Sequence, residues 1–259
     1  GVTNRLAMVL LLAAEGVLEH ALQHGRLAII DGPIRRLYRW RDGTPGRRGA
    51  KAWHEAAAET LRRDLAKFLG EMGSHGHFSR DADGRIRYAF IHGNWCLANA
   101  RADGRWCGVD AEIPLLFDTG CYADFTFPAA PDPSQPAIVN SIYWPVGNLH
   151  ARRAYESGER AERGKIMNDR ILMIEGPTSV GLVKRKMPVQ IEMGDVTSHN
   201  PATPARIARW VDSHVVVGGQ PDWVFVKVHT HGAPDDEWKS LLGDDGKRMH
   251  EELTTRYND

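Results

Sequence analysis

The chain has 259 residues, enough for one large domain or two small ones, and its 42% hydrophobic and 25% charged content is an ordinary soluble composition. Lys+Arg and Asp+Glu each total 33, so no net charge argues for nucleic acid or an anionic membrane as a partner. No stretch approaches ~20 uninterrupted apolar residues, so no spanning helix is predicted, and Cys96, Cys107 and Cys121 are an odd set without CxxC spacing, which suggests neither a disulfide framework nor a structural zinc site.

In chain order, Thr3 or Asn4 caps a predicted helix that runs to about His24 and stops at Gly25. Its apolar stretch, 6–14, has the length of a signal-peptide core. Glu15 and Glu19 follow it without a small-residue cleavage pattern, so an amphipathic helix is expected and a cytoplasmic location is the default. Residues 27–30 form a short apolar strand ending at Asp31-Gly32-Pro33, and 35–50 an Arg/Gly-rich loop. A helix over 53–72 places Leu61, Leu65, Phe68, Leu69 and Met72 on one face. A turn at 79–84 leads into an alternating strand over 85–92, followed by a polar loop to 108 and a helix over 109–119 with Gly120 as its cap. Strands are predicted over 121–127, 138–144 and 171–176, with a Pro-rich loop at 128–136 and a highly charged loop or insertion at 147–168. A helix over 204–215, a strand over 222–232 and a terminal helix from about Asp244 complete the chain. Strands alternating with helices imply βα units and a largely parallel sheet, with polar groups collecting at the strand C-termini.

Three clusters carry chemistry. The last strand alternates Phe225, Lys227, His229 and His231 on one face with Val224, Val226 and Val228 on the other, and its end offers two imidazoles for metal binding or proton transfer. The plain alternative is a buried strand that runs out into a solvated loop. The second cluster is FIHGNW at 90–95, in which His92 ends a strand, Gly93 admits close approach, Asn94 can orient a polar ligand and Trp95 can stack on a sugar ring. The third is GCYADFT at 120–126. Tyr122, Asp124 and Thr126 share a strand face there, and a carboxylate in an apolar strand needs a partner, for which a His⁺, an Arg or a metal would serve. Asp110 and Glu112 precede it as first-turn acids of a helix. Asp31, His75 and His77 have the residue types of a three-ligand zinc site with an open position, although His75-Gly76 also reads as a simple helix end. The chain has no P-loop, GxGxxG, HExxH or GxSxG.

Together, the Ser79-to-Arg85 turn, FIHGNW at 90–95, DGRWCGV at 103–109, GCYADFT at 120–126, VNSIYW at 139–144 and PDWVFVKVHTHGA at 221–233 resemble a group of bacterial proteins. That group is related to polysaccharide deacetylases of the nodulation type (carbohydrate esterase family 4), and the likeness covers about residues 58–259, leaving 1–57 as a divergent N-terminal segment. The resemblance implies an α/β fold, a distorted (β/α)7-type barrel that is incomplete at its two ends if the chain is a fragment. It also implies a divalent metal (zinc) held by one Asp and two His, an Asp base and a late His acid, and hydrolysis of acetyl groups on a glycan. On that pattern His229, His231 and Asp124 are catalytic, His92, Asn94, Trp95, Tyr122 and Glu112 bind substrate, and Asp31, His75 and His77 hold the metal. Two positions depart from it: Ile30 stands where a second Asp precedes the first motif's end, and Ser79 where a second His follows His75. The expected function is therefore a metal-dependent carbohydrate deacetylase acting on a carbohydrate substrate, with a catalytically inactive glycan-binding or polysaccharide-assembly protein as the alternative. A third reading takes the chain as a fragment of a longer enzyme.

Overall fold

The computed structural model describes residues 5–12, 47–92, 95–101, 109–181, 190–230 and 240–256. Strand β1 (Arg5–Leu12) pairs in parallel along its whole length with β11 (Gln220–Thr230), from Arg5 opposite Trp223 to Leu12 opposite Thr230. Over these residues it replaces the first part of the helix expected at the start of the chain, and the rest of that helix, from 13 to 24, lies outside the described residues. A run such as RLAMVLLL is apolar enough for either state, and a matched apolar strand beside it decides for the sheet. Helix α1 (Arg47–Ser74) contains the predicted helix, and Leu65, Phe68 and Leu69 on its apolar face pack on the main core. It ends in a Schellman motif: Gly76 has φ +77°, its N–H donates to Gly73 O at 3.2 Å, and His77 N–H donates to Met72 O at 3.3 Å.

The hairpin β2 (Ser79–Arg80) and β3 (Ile86–Phe90) turns on Asp81, whose Oδ1 accepts the N–H groups of Asp83 and Arg85 at 3.0 and 2.9 Å. Helix α2 (Glu112–Asp118) then returns the chain to β4 (Cys121–Asp124), which lies parallel to β3. Gly120 makes that return possible at φ +101°, since an added Cβ would lie 2.3 Å from Ile86 O. Strands β5 (Ser141–Pro145), β6 (Gly158–Arg160) and β7 (Leu172–Glu175) complete a six-stranded sheet of order β2-β3-β4-β7-β5-β6. The β8 (Ser179–Gly181) and β9 (Gln190–Glu192) hairpin follows, then α3 (Pro204–Asp212) and β10 (Val215–Val217), which pairs antiparallel with β11 in the sheet β1-β11-β10. Helix α4 (Asp244–Glu251) closes the chain with a wide turn over Glu252–Arg256.

The expected (β/α)7-type barrel is not what forms. The described strands make a mixed six-stranded sheet with free edges at β2 and β6, a separate three-stranded sheet and a hairpin, and no closed barrel. The βα alternation holds from β3 through α2 to β4. It fails from β4 to β7, where the chain runs through the Pro-rich segment and the antiparallel β5–β6 pair instead of a crossover helix. Part of the charged loop expected at 147–168 is the edge strand β6, anchored by fully buried Tyr155, whose hydroxyl donates to Ser134 O at 2.8 Å.

Three apolar clusters hold these layers. The largest lies under β3, β4 and β7 and includes Leu97, Ile113, Leu116, Phe127, Tyr143, Ile171 and Met173. A second joins Val226 and Val228 of β11 to Ile207 and Trp210 of α3, Met249 of α4 and Leu253 of the wide turn that follows it. The third, Ile142, Ala161 and Val215 with Phe225 and Ile174, connects the two sheets. Main-chain bonds reinforce that seam, with Gly218 N–H donating to Ala161 O and Arg163 N–H donating to Gly218 O, each at 2.8 Å.

Candidate functional site

The parallel strands β3, β4 and β7 all end at the same side of the sheet, and polar groups gather there. Asp124 ends β4 between Phe90 of β3 and Met173 of β7. It is fully buried, and Thr126 satisfies both carboxylate oxygens: its N–H donates to Oδ1 and its hydroxyl to Oδ2, each at 2.9 Å. The same hydroxyl accepts the His92 N–H at 2.8 Å, which ties the end of β3 to Asp124. Burial pushes the Asp124 pKa up to about 7; the Thr126 hydrogen bonds and Lys227 pull the other way, and Glu112 adds to the rise.

Glu112, in the first turn of α2, is buried rather than presented to solvent as a simple helix-dipole acid. Its Oε2 accepts the Ala98 N–H at 2.7 Å, and its Oε1 lies 3.4 Å from His92 Nε2. The imidazole therefore has a carboxylate against one ring nitrogen, which fixes the orientation of the ring. The loop carrying Ala98 is strained. Trp95, Ala98 and Asn99 have φ of 53°, 49° and 53°, in the left-handed region that non-glycine residues seldom occupy. Arg153 N–H donates to Ala98 O at 2.8 Å and Asn99 Nδ2 to Asp110 Oδ1 at 2.8 Å, so surrounding contacts hold the strained backbone in place.

A second pair of charges closes the site from β7 and β11. Glu175 ends β7 at 2% exposure; its Oε1 accepts Gln135 Nε2 at 2.7 Å, and its Oε2 has no hydrogen-bond partner among the described residues. Lys227 enters from the other sheet, and its ammonium donates to Phe125 O at 2.9 Å, to Phe127 O and to Ile174 O at 3.3 Å. Burial raises the Glu175 pKa and lowers that of Lys227, and each opposes the other's shift through their mutual attraction. Neither residue was singled out from sequence. The signal was present, because a lysine inside WVFVKVHT needs buried acceptors for the same reason that Asp124 needs a partner.

The other expected residues divide by position. Trp95 and Tyr122 are exposed, Trp95 beside His92 in the chain and Tyr122 as the extra residue where the β3–β4 register shifts. His229 is half-buried near the end of β11, its backbone bridged to Asp195, with its N–H on Gly194 O at 3.0 Å. His75 and His77 are exposed and belong to the α1 end motif, with ring centroids 6.2 Å apart. Asp31, Asn94 and His231 lie outside the described residues. Among the described residues no group of three or more His, Cys, Asp or Glu is arranged to hold a metal ion; the expected set of Asp31, His75 and His77 includes Asp31, which lies outside them. Likewise, among the described residues no helix is long and apolar enough to cross a membrane.

The site thus joins His92 to Glu112, and His92 through Thr126 to Asp124, with Lys227 and Glu175 behind them. No family model matches the chain, and no curated protein and no solved structure is significantly similar to it.

Proposed function

We propose that the chain is a hydrolase that removes acetyl groups from a carbohydrate, in the manner of the polysaccharide deacetylases its motif blocks resemble. The observation that carries this reading is the junction of His92, Glu112, Thr126 and Asp124 at the ends of two adjacent parallel strands. Water adds to the acetyl carbonyl, and His92, oriented by Glu112 Oε1 3.4 Å from its Nε2, gives a proton to the departing amine or alkoxide as the acetyl C–N or C–O bond breaks and acetate leaves. Asp124 is sealed behind Thr126 and acts as a positioning residue, fixing the His92 backbone through the shared hydroxyl. His229 lies on the strand face of Lys227, which is turned toward β4, and is the candidate second proton-transfer group. Exposed Trp95 and Tyr122 supply flat apolar surface for a sugar ring.

The test is acetate release from a panel of N- and O-acetylated oligosaccharides, with and without added divalent cation. Turnover of at least one substrate supports the proposal; a folded protein that releases no acetate from any of them contradicts it. One feature favours the non-catalytic alternative: both Asp124 oxygens are already satisfied inside the protein, as in a structural carboxylate. Glycan binding without turnover, unchanged in His92→Ala, would select that reading.

A further inference from the structure

Lys227 presents an arrangement that the proposed reaction does not use. Its ammonium is 6% exposed as a residue and has three protons to place, and three main-chain carbonyls receive them: Phe125 O, Phe127 O and Ile174 O. Two of these lie just past the end of β4 and one belongs to β7, while Lys227 itself belongs to β11 of the other sheet. The Phe125 ring centroid is 5.9 Å from Nζ, and the carboxylates of Asp124 and Glu175 both attract the charge. Glu175 keeps one buried oxygen without a hydrogen-bond partner among the described residues. Carbonyls converging on one point, with carboxylates near enough to attract the charge, are what binds a cation.

We propose that the carbonyls of Phe125, Phe127 and Ile174, with Asp124 and Glu175 around them, form a monovalent-cation cradle whose occupant is the tethered ammonium of Lys227, and that this tether docks β11 against the ends of β4 and β7. The cradle fixes where β11 sits on the six-stranded sheet. His229, two residues further along the same strand face, is placed by it.

Emptying the cradle tests this directly. Lys227→Ala removes the ammonium and leaves its volume open, whereas Lys227→Met removes the charge and fills the volume with an apolar chain. In tetramethylammonium chloride, whose cation is too large to enter, both variants should melt about 10 °C below the wild type. Replacing that salt with ammonium or potassium chloride at the same concentration should recover a substantial part of the loss in Lys227→Ala alone. Equal responses of Lys227→Ala and Lys227→Met to the exchange would overturn the proposal. If Lys227→Ala does not fold, the pair Lys227→Met with Glu175→Gln decides. Removing both charges should restore at least half of the Lys227→Met loss, and a deeper loss in the double variant would overturn the proposal.

Discussion

Asp124 couples the candidate site to pH. Its folded pKa of about 7 stands above the ordinary 3.8 because burial penalises the carboxylate. An acid raised in this way favours the folded state in its protonated form. That contribution is complete below about pH 4 and is lost as the pH rises through about 7, a change on the order of a few kcal/mol. The wild-type Tm is therefore expected to fall between about pH 5 and about pH 8, and Asp124→Asn, which cannot ionise, to flatten that fall. Lys227 and Glu175 feel the Asp124 charge and shift with it; parallel Tm curves for the two proteins would contradict the assignment. At this scale the sequence was informative in one direction. A carboxylate inside CYADFT demanded a partner, and the expectation of a His⁺, Arg or metal was answered by Thr126 and the ammonium of Lys227. Which side chains meet it depends on β11 lying across the end of β4, about 100 residues away in sequence. Local pattern does not reach that far.

At the scale of elements, the end of β9 is tied to α3 by a buried ion pair that bears on His229. Arg206 donates to both Glu192 oxygens at 2.7 Å, to Pro201 O at 3.0 Å and to Asp195 O at 2.6 Å, and Trp210 Nε1 donates to Glu192 Oε1 at 2.7 Å. Asp195 in turn bridges the His229 backbone. Although burial raises the Glu192 pKa, the Arg206 and Trp210 hydrogen bonds outweigh it and hold the carboxyl below its usual range. The stability this gives is present above about pH 4.5 and is lost as the pH falls through the lowered folded value. Arg206→Met strands a buried carboxylate and should cost about 3–5 kcal/mol in denaturant unfolding at neutral pH; a loss under about 1 kcal/mol would show that the pair contributes little. Among the elements, α1, α2 and the split of β11 into a polar and a valine face could be read from periodicity, since each face packs on its own cluster. Strand β1 could not be, because a uniformly apolar run carries no period. Strand β6 was hidden by its Gly-Glu-Arg composition, which at a sheet edge is compatible with pairing on one side and water on the other.

The described residues form two main sheets and the β8–β9 hairpin; the two main sheets meet along a seam of Ile142, Ala161, Val215, Ile174 and Phe225, with Lys227 and the main-chain bonds at Gly218 as polar contacts across it. Barrel closure was the expectation that failed. It required every parallel step to carry a helix, and the step from β4 to β7 carries an antiparallel pair instead. Because apolar and polar contacts both cross the seam, the two sheets should unfold together, with tryptophan fluorescence and far-UV circular dichroism giving one coincident denaturant transition. Two separated transitions would mean that the seam contributes little. The account's central claim is that His92, backed by Glu112, moves the proton in hydrolysis of an acetylated carbohydrate. The most direct measurement is the rate of acetate release by His92→Ala against wild type on the best acetylated oligosaccharide, with circular dichroism confirming an unchanged fold. The predicted result is a fall of about 10²–10⁴-fold. A His92→Ala protein that releases acetate at the wild-type rate would contradict it.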